Sequence, residues 1–353
     1  MEYLFVNKLS FLYFFLPLLI FFDNKTKGAI RDMNHANNIP ATLPIDMTKS
    51  ILDYPLPLTW ERMMAYLNCF AERYPLLEIS TLGESVLGRT IPMVTLGEGK
   101  KTFVYIGTHH AMEWMTSVLL LRFINEYAEG VRAGRRIYNV HLPYLFRERR
   151  IIVIPMLNPD GVSYLMEGVR EDNPLLSRLE RMNPDHPDYS HWQANARGVD
   201  LNHNYDAGFA EYKQLEREAG ICGGGPTRYS GECPESEPEV GYLCNYLRFQ
   251  RNNIHAVLTL HTQGEEIYYS SGGEVTPRSA AMAKALSRLC GYQLASPEGM
   301  AAYGGLTDWC IRSLGLPSFT LECGKGENPL PAEQYFCVYA SLRQLFFEAP
   351  LLL

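Results

Sequence analysis

The sequence predicts an α/β fold in which one sheet is covered by helices on both faces. Short segments rich in β-branched and aromatic residues alternate along the chain with longer segments whose apolar residues recur at helical spacing. The segment 151–155 is apolar throughout, which is typical of a strand in the middle of a sheet. Alternating strands and helices favour a layered α/β architecture, and a chain of 353 residues is long enough to bury a sizeable core.

The predicted elements follow one another from residue 59 onward. The first is a helix at 59–74, which Thr59 caps and Pro75 ends. Strands are predicted at 76–82, 91–96, 102–106, 151–155, 254–260 and 318–321, the first two as a hairpin around Gly88-Arg89. Later helices are predicted at 115–127, 235–249, 279–290, 306–314 and 333–347. A turn is expected at 158–161, and short helices with surface loop at 167–197.

Charge and cysteine usage exclude several classes of function. The formal net charge is −7 and the chain has no basic stripe, so a nucleic-acid partner is not expected. The eight cysteines include no CxxC pair, which argues against a thiolate zinc site and against a dithiol redox site. Cys222 and Cys233 flank a glycine-rich segment, where a disulfide and two free thiols are both compatible with the sequence. The oligomeric state is left open.

The first 40 residues differ from the rest of the chain. Residues 9–22 are almost all apolar, a run too short for a membrane span and typical of a signal-peptide core, although no small-x-small cleavage site follows it. A signal, a short membrane anchor, and a true start at Met33 or Met47 are the three interpretations. The first two, which are preferred, make the protein secreted or membrane-anchored, and the third makes it cytoplasmic. We therefore separate 1–40, with a linker, from a folded domain at 50–353.

Four residues of types that bind metals or act as bases beside them lie where predicted strands end. His110 and Glu113 follow the strand at 102–106, while His261 and Glu322 each come directly after a later strand. Ligands of open α/β sheets bind beyond the carboxyl ends of the strands. Two histidines and one carboxylate make a hydrolytic zinc set with an open fourth position, and a second carboxylate can act as general base. Taken alone, HxxE is a weak signal, because a turn histidine and a helix-start glutamate give the same pattern more often than a metal site does, and His109 is expected to be a turn residue.

These residues stand in a series of motifs that runs from about residue 59 to the C-terminus. The motifs are His110-Ala-Met-Glu113-Trp114, Asn158-Pro-Asp-Gly161, Gly198-Val-Asp-Leu-Asn-His-Asn204-Tyr-Asp-Ala-Gly208, Ser236-Glu-Pro-Glu239, His261 and Phe319-Thr-Leu-Glu322. The series resembles the zinc carboxypeptidases of the carboxypeptidase A type. The resemblance implies a three-layer sandwich with a mixed eight-stranded sheet, one Zn²⁺ ion, a peptide substrate, and a catalytic domain at 50–353.

The resemblance also implies roles for individual residues. His110, Glu113 and His261 match the zinc ligands, and Glu322 matches the general base. Asp200 matches a carboxylate that orients the first ligand histidine, a common supporting interaction of metal sites.

The substrate-binding positions depart from the family pattern. Where the family has an Asn-Arg pair that holds the substrate carboxylate, this chain has Asn202-His203, and histidine lacks the bidentate fork of arginine. Gln193 stands where an arginine polarises the scissile carbonyl in the family.

Further positions of the binding site differ from the family pattern or are left open by it. Met300 takes the position of a mobile tyrosine, and Tyr303, three residues on, is a candidate substrate contact. Thr307 takes the position that lines the side-chain pocket, so no buried charge is expected to select the terminal side chain. Arg197 and Arg228 are the candidates for a replacement cation.

The departures resemble the bacterial branch of the family that cuts γ-D-glutamyl bonds to diamino acids in peptidoglycan stem peptides, whose members also carry Asn-His. A zinc-dependent peptidase of that kind is the preferred interpretation. An ordinary metallocarboxypeptidase and a homologue that binds peptidoglycan fragments without cutting them remain as alternatives. The retained Glu322 argues against the binding homologue, and an acylase of small amidated amino acids would need an arginine clamp that cannot be placed.

Overall fold

The strands form one large sheet and one small one. The computed structural model describes residues 57–352. Its strands are β1 (Glu78–Glu84), β2 (Thr90–Leu96), β3 (Lys101–Ile106), β4 (Arg136–Ile137), β5 (Val140–His141), β6 (Arg149–Ile154), β7 (Ile254–His261), β8 (Glu266–Tyr268), β9 (Gln293–Ala295) and β10 (Ser318–Glu322). Eight of them form a sheet in the order β1-β2-β6-β3-β7-β10-β8-β9, and β4 pairs with β5. The predicted eight-stranded α/β fold is confirmed.

The centre of the large sheet is parallel and its margins are mixed. Strands β6, β3, β7 and β10 run parallel to one another. The hairpin of β1 and β2 joins β6 antiparallel, while β8 pairs antiparallel with β10 and parallel with β9. The central strands carry fully buried apolar side chains, as expected for strands that are covered on both faces.

Helices cover both faces of the sheet. They are α1 (Trp60–Arg73), α2 (Met115–Arg132), α3 (Leu142–Glu148), α4 (Pro159–Glu167), α5 (Leu176–Met182), α6 (Phe209–Glu218), α7 (Pro238–Gln250), α8 (Ser279–Cys290), α9 (Leu306–Trp309), which continues as a π-helical turn (Cys310–Leu314), and α10 (Tyr335–Glu348). None of the helices within residues 57–352 is long and apolar enough to cross a membrane.

Strand β3 shows how the alternation of side chains builds the two faces. Val104 lies in one core cluster with Leu243 of α7. The ring of Tyr105, the next residue, packs instead against Phe123 of α2 and Phe346 of α10, with ring centroids 5.6 and 5.7 Å apart. Because successive side chains of a strand point to opposite faces, one apolar segment serves both layers.

Several elements differ from the sequence-based expectations. Strands β8 and β9 were not predicted, since three residues are too few to show an alternating pattern. The predicted turn at 158–161 is the start of α4: Asn158 accepts a hydrogen bond from Gly161 N, and Pro159 occupies the first turn of the helix. Helices α3 and α6 were also missed. The predicted N-terminal segment at 1–40 lies outside the described residues.

The fold brings the ends of three neighbouring parallel strands to one edge of the sheet. Strand β3 ends at Ile106, which pairs with Thr259 of β7. His261 is the last residue of β7, and Glu322 is the last residue of β10. The two residues are direct partners in the register of these strands. Ligand-binding groups therefore gather at the carboxyl edge, as in other α/β sheets.

Candidate metal centre and its cavity

The turn after β3 is held by buried hydroxyl groups. Thr108 has a left-handed φ of 52°, and its amide donates to Thr116 Oγ1 at 2.9 Å. Its own hydroxyl lies 2.7 Å from that of Ser117, which donates to the carbonyl of Pro155. A Cβ at Gly107 would lie only 2.6 Å from the same carbonyl, so this approach of the backbone requires glycine. The turn therefore has little freedom to change the direction in which His110 points.

Asn158 joins the metal-binding turn to the segment that carries Gln193. Its side-chain amide donates to the carbonyls of His109, Gln193 and Ala194 at 3.0, 3.1 and 3.1 Å. Its Oδ1 accepts from Gly161 N at the start of α4. The side chain is fully buried. The sequence indicated a turn here and gave no sign of this positioning role, because the partners lie up to 49 residues away.

His110, Glu113 and His261 come together as a possible metal-binding group. One ligand atom from each lies within 4.8 Å of the others. Glu113 Oε1 is 2.9 Å from His110 Nδ1, and Glu113 Oε2 is 2.9 Å from His261 Nδ1. The second contact lacks hydrogen-bond geometry, so Glu113 Oε2 is a buried carboxylate oxygen with no hydrogen-bond partner among the described residues. Such an oxygen between two imidazoles fits a divalent cation, and this donor set suits zinc.

Asp200 holds His110 through the ring nitrogen that is not directed at Glu113. His110 Nε2 donates to Asp200 Oδ1 at 2.9 Å, which leaves Nδ1 to face Glu113. Asp200 also accepts from the amides of Asn202 and Arg228. Although burial raises the pKa of Asp200, the neighbouring His110 and these hydrogen bonds lower it far below its usual range. The carboxylate is therefore ionised and fixes both the orientation and the tautomer of His110.

Glu322 stands beside the metal-binding group without a hydrogen bond to it. It is only partly buried and lines the same cavity. Burial raises the pKa of Glu322 well above its ordinary value, and the carboxylate of Glu113 raises it further. A bound divalent cation would oppose this effect, since a positive charge favours the ionised carboxylate.

His109 lies in the turn, as expected, but its side chain is buried in the core. One ring nitrogen lies 2.9 Å from the hydroxyl of Tyr205, and the other lies 3.2 Å from that of Thr259. Its ring stacks on that of His261 with centroids 5.2 Å apart. Burial lowers the pKa of His109 well below its usual value, so it packs on His261 as a neutral ring.

A cavity of about 240 Å³ opens in front of the metal-binding group. Its lining consists of His110, Glu113, Gln193, Asn202, His203, His261, Thr262, Tyr268, Ser270, Pro297, Ala301, Gly305, Thr307, Asp308, Thr320, Glu322 and Asn328. This lining, all within the described part of the chain, contains three carboxylates and neither lysine nor arginine.

Three of the predicted substrate-binding residues line the cavity. The Oε1 atom of Gln193 accepts from the hydroxyl of Thr227 at 3.0 Å, and Asn202 Oδ1 accepts from Leu306 N at 3.2 Å. The ring of His203 stacks on Tyr212 with centroids 4.2 Å apart. Burial lowers the pKa of His203, which favours a neutral imidazole.

Other expectations about the binding site need correction. Tyr303 is not in the lining: a Cβ on Gly208 would meet its ring at 2.7 Å, and its carbonyl accepts from His203 Nδ1 at 2.8 Å. Arg197 pairs with Glu237 at 3.5 Å, and neither Arg197 nor Arg228 is in the lining. The expectation that the pocket has no buried charge is wrong, because Asp308 is in the lining and only 5% exposed. In the sequence it was one acidic residue in the first turn of a predicted helix.

Comparisons with known proteins agree with this geometry. A family model described as zinc carboxypeptidase matches residues 63–341. The chain is 31% identical over 287 residues to gamma-D-glutamyl-L-diamino acid endopeptidase 1 of Lysinibacillus sphaericus, covering 81% of this chain and 70% of that protein. It is 26% identical over 280 residues to carboxypeptidase B of Homo sapiens, covering 74% and 62%. The crystal structure of carboxypeptidase A from Helicoverpa armigera has the same fold, with a TM-score of 0.63, 19% identity, and coverage of 83% and 72%.

Proposed function

Because the chain belongs to the zinc carboxypeptidase family, we propose that it cuts γ-D-glutamyl bonds to diamino acids in peptidoglycan stem peptides. At the coarser level the protein is a zinc metallopeptidase that acts on peptides. The narrower assignment is supported by two features: the similarity to an endopeptidase named for this bond, and a cavity lining without arginine or lysine among the described residues.

The observation that carries the proposal is that the cavity lining, within the described residues, contains no arginine or lysine side chain. A carboxypeptidase that removes single terminal residues must hold the free carboxylate of its substrate, and arginine does so with a bidentate fork. Here the matching positions are Asn202 and His203, and burial lowers the pKa of His203. The amide of Asn202 and the neutral ring of His203 provide no positive charge for a terminal carboxylate. They therefore suit a substrate in which the residue after the scissile bond is not the last one, as in an endopeptidase.

In the proposed reaction each side chain has a separate task. His110, Glu113 and His261 would hold zinc, which supplies a Lewis acid for the scissile carbonyl and lowers the pKa of water. Asp200 keeps His110 in one orientation. Glu322 takes the proton from the attacking water and passes it to the leaving amine.

We propose that Gln193, which lines the cavity, contacts the oxygen of the scissile carbonyl. The hydroxyl of Thr227 donates to Gln193 Oε1, which leaves the side-chain NH₂ group free to donate into the cavity. An NH₂ donor stabilises a developing negative charge less than a guanidinium does. We infer that Gln193 supplements the metal in this task and does not replace it.

Products identified by mass spectrometry test the proposed function. The zinc-loaded protein is incubated with L-Ala-γ-D-Glu-L-Lys-D-Ala, with the same peptide in an α-glutamyl linkage, and with plain peptides of L-residues. The zinc-loaded Glu322→Gln variant serves as the matched control. The expected products are L-Ala-D-Glu and the lysyl dipeptide, from the γ-linked peptide only.

The other outcomes identify the alternatives. Removal of single C-terminal residues from the plain peptides, with the γ-linked peptide intact, would make the protein an ordinary metallocarboxypeptidase. Tight binding of the γ-linked peptide without any cleavage would support the non-hydrolytic homologue. Either result rejects the proposed function.

A further inference from the structure

Two histidines on the surface have rings arranged like those of the metal-binding group. His186 and His191 are both exposed, and their ring centroids lie 4.5 Å apart with an angle of 57° between the ring planes. The corresponding values for His110 and His261 are 4.9 Å and 61°. The surface pair therefore repeats the mutual arrangement of the two imidazoles that are proposed to hold zinc.

Buried aromatic residues hold the turn at residues 186–191 that brings the two rings together. Tyr189 and Trp192 are buried and pack against each other, with ring centroids 5.5 Å apart. Trp192 N donates to the carbonyl of Tyr189 at 3.0 Å, and Tyr189 N donates to that of His186 at 2.9 Å. The buried side chain of Asn183 also donates to the carbonyl of His186. These bonds hold the backbone of the turn, while the rings of His186 and His191 remain on the solvent side.

The ring nitrogens of the pair are free to accept a ligand. Within residues 57–352, no hydrogen bond or ion pair occupies a ring nitrogen of His186 or His191. Asp188 stands between them in the sequence, and its Oδ1 accepts from the amide and the hydroxyl of Ser190 at 3.2 and 3.0 Å. These bonds lower the pKa of Asp188, and to a smaller extent so does the nearby ring of His186. An ionised carboxylate therefore accompanies the two imidazoles.

We propose that His186 and His191 together bind a divalent transition-metal ion at a second site, separate from the cavity. Imidazole nitrogen is a ligand for Zn²⁺, Ni²⁺ and Cu²⁺, whereas Mg²⁺ and Ca²⁺ take oxygen ligands. Neither of the two histidines belongs to the cavity lining. The inference concerns a different part of the surface from the proposed active site and does not depend on the proposed function.

The second site has fewer protein ligands than the metal-binding group. In the described part of the chain, only His110, Glu113 and His261 form a group of three donors within 4.8 Å of one another. The surface pair therefore supplies two ligands, and water, or Asp188 after a rotation of its side chain, completes the coordination of the ion. We expect the ion to bind more weakly here than zinc does in the cavity, and to exchange with solvent.

A bound ion would restrain the segment that leads into the cavity. Gln193 follows Trp192 and lines the cavity, and its carbonyl accepts from Ala111 N in the metal-binding turn. An ion on His186 and His191 adds a link between the two ends of the turn at residues 186–191. A ligand that binds the closed form of a segment reduces its local opening. The backbone amides of residues 184–192 should therefore exchange hydrogen more slowly with the ion bound.

Nickel binding to the zinc-loaded protein tests the inference. The wild type, His186→Gln, His191→Gln and the control His141→Gln, which also changes an exposed histidine, are dialysed against Ni²⁺, and nickel and zinc per chain are measured by atomic absorption. We expect one nickel beside one zinc in the wild type and the control. Groups that only support a ligand are worth about 10- to 100-fold in metal affinity, so loss of either ligand should weaken nickel binding by at least about 100-fold.

Several results would overturn the inference. Nickel binding that is unchanged in both histidine variants would place the ion elsewhere, and nickel that enters only as zinc leaves would place it in the cavity. Mg²⁺ binding as tightly as Ni²⁺ would assign the ion to carboxylates and not to the imidazoles. A wild type that takes up no nickel, or whose amides at residues 184–192 exchange equally fast with and without nickel, would show that the two rings do not hold one ion. The wild-type measurements need no variant to fold.

Discussion

Glu322 and His261 are register partners at the ends of two neighbouring parallel strands. The proposed base and a proposed zinc ligand are therefore separated by one strand spacing, and both side chains point to the same edge of the sheet. A shift of β10 by one residue would turn Glu322 to the opposite face. The apolar residues before Glu322 prevent that shift, because Phe319 and Leu321 are fully buried in this register.

Replacing Glu322 with glutamine should remove activity without removing the metal. The variant keeps the size of the side chain but cannot accept a proton, and general base catalysis contributes about 1000-fold. We expect kcat to fall by about that factor while one zinc per chain is retained, as measured by atomic absorption. Glu333→Gln, which changes an exposed glutamate, is the control. Full activity in Glu322→Gln would remove Glu322 from the mechanism.

Replacing Asp200 with asparagine should weaken zinc binding. Asparagine can still contact His110 Nε2, but the negative charge that favours the ligand tautomer is lost, and such changes reduce metal affinity about 10- to 100-fold. A competition titration against a chelator measures the change. Asp206→Asn, at an exposed position, should leave the affinity unaltered. Equal affinities in all three proteins would show that Asp200 does not orient His110.

Replacing Asn158 with alanine should destabilise the protein. The side chain makes four hydrogen bonds, three of them buried, to backbone groups of three segments, and unsatisfied buried groups cost about 1–3 kcal/mol each. We expect the free energy of unfolding to fall by about 3 kcal/mol, as measured by urea denaturation. Asn252→Ala, at an exposed position, should change it by less than about 0.5 kcal/mol. A similar small effect at both positions would contradict the positioning role.

Glu239 should make the stability of the protein depend on pH. The side chain is fully buried in α7. Burial and, to a smaller extent, the carboxylate of Asp160 raise its pKa to about 8. The native state then holds the proton more tightly than the unfolded state. The stabilisation is complete below the unfolded pKa of about 4.5, falls steadily as the pH rises above it, and is lost once the pH passes about 8, for a total of about 5 kcal/mol.

The Glu239→Gln variant tests this dependence. Glutamine has no proton to lose, so its free energy of unfolding should vary less than that of the wild type between pH 5 and pH 8.5. The urea midpoints of both proteins across this range provide the measurement. Parallel pH profiles would mean that Glu239 does not titrate in this range.

The expectations that succeeded depended on local patterns. The central strands β3, β6, β7 and β10 were predicted because each is a short apolar segment, and such a segment forms a buried strand in many contexts. The three-residue strands β8 and β9 could not be predicted, since their existence depends on pairing with β10 and with each other. Helix α4 was mistaken for a turn, although Asn158 and Pro159 are also a helix start.

The sequence by itself determined which residues can carry the chemistry. His110, Glu113, His261 and Glu322 lie at the end of a strand or just after it, and parallel strands end at one edge, so their approach could be expected from order alone. Only the tertiary structure decided what surrounds them. Asp308 lines the cavity and Tyr303 does not, because of how the segment 299–309 packs against Gly208 and β10. Such contacts join residues far apart in the chain, and no local pattern records them.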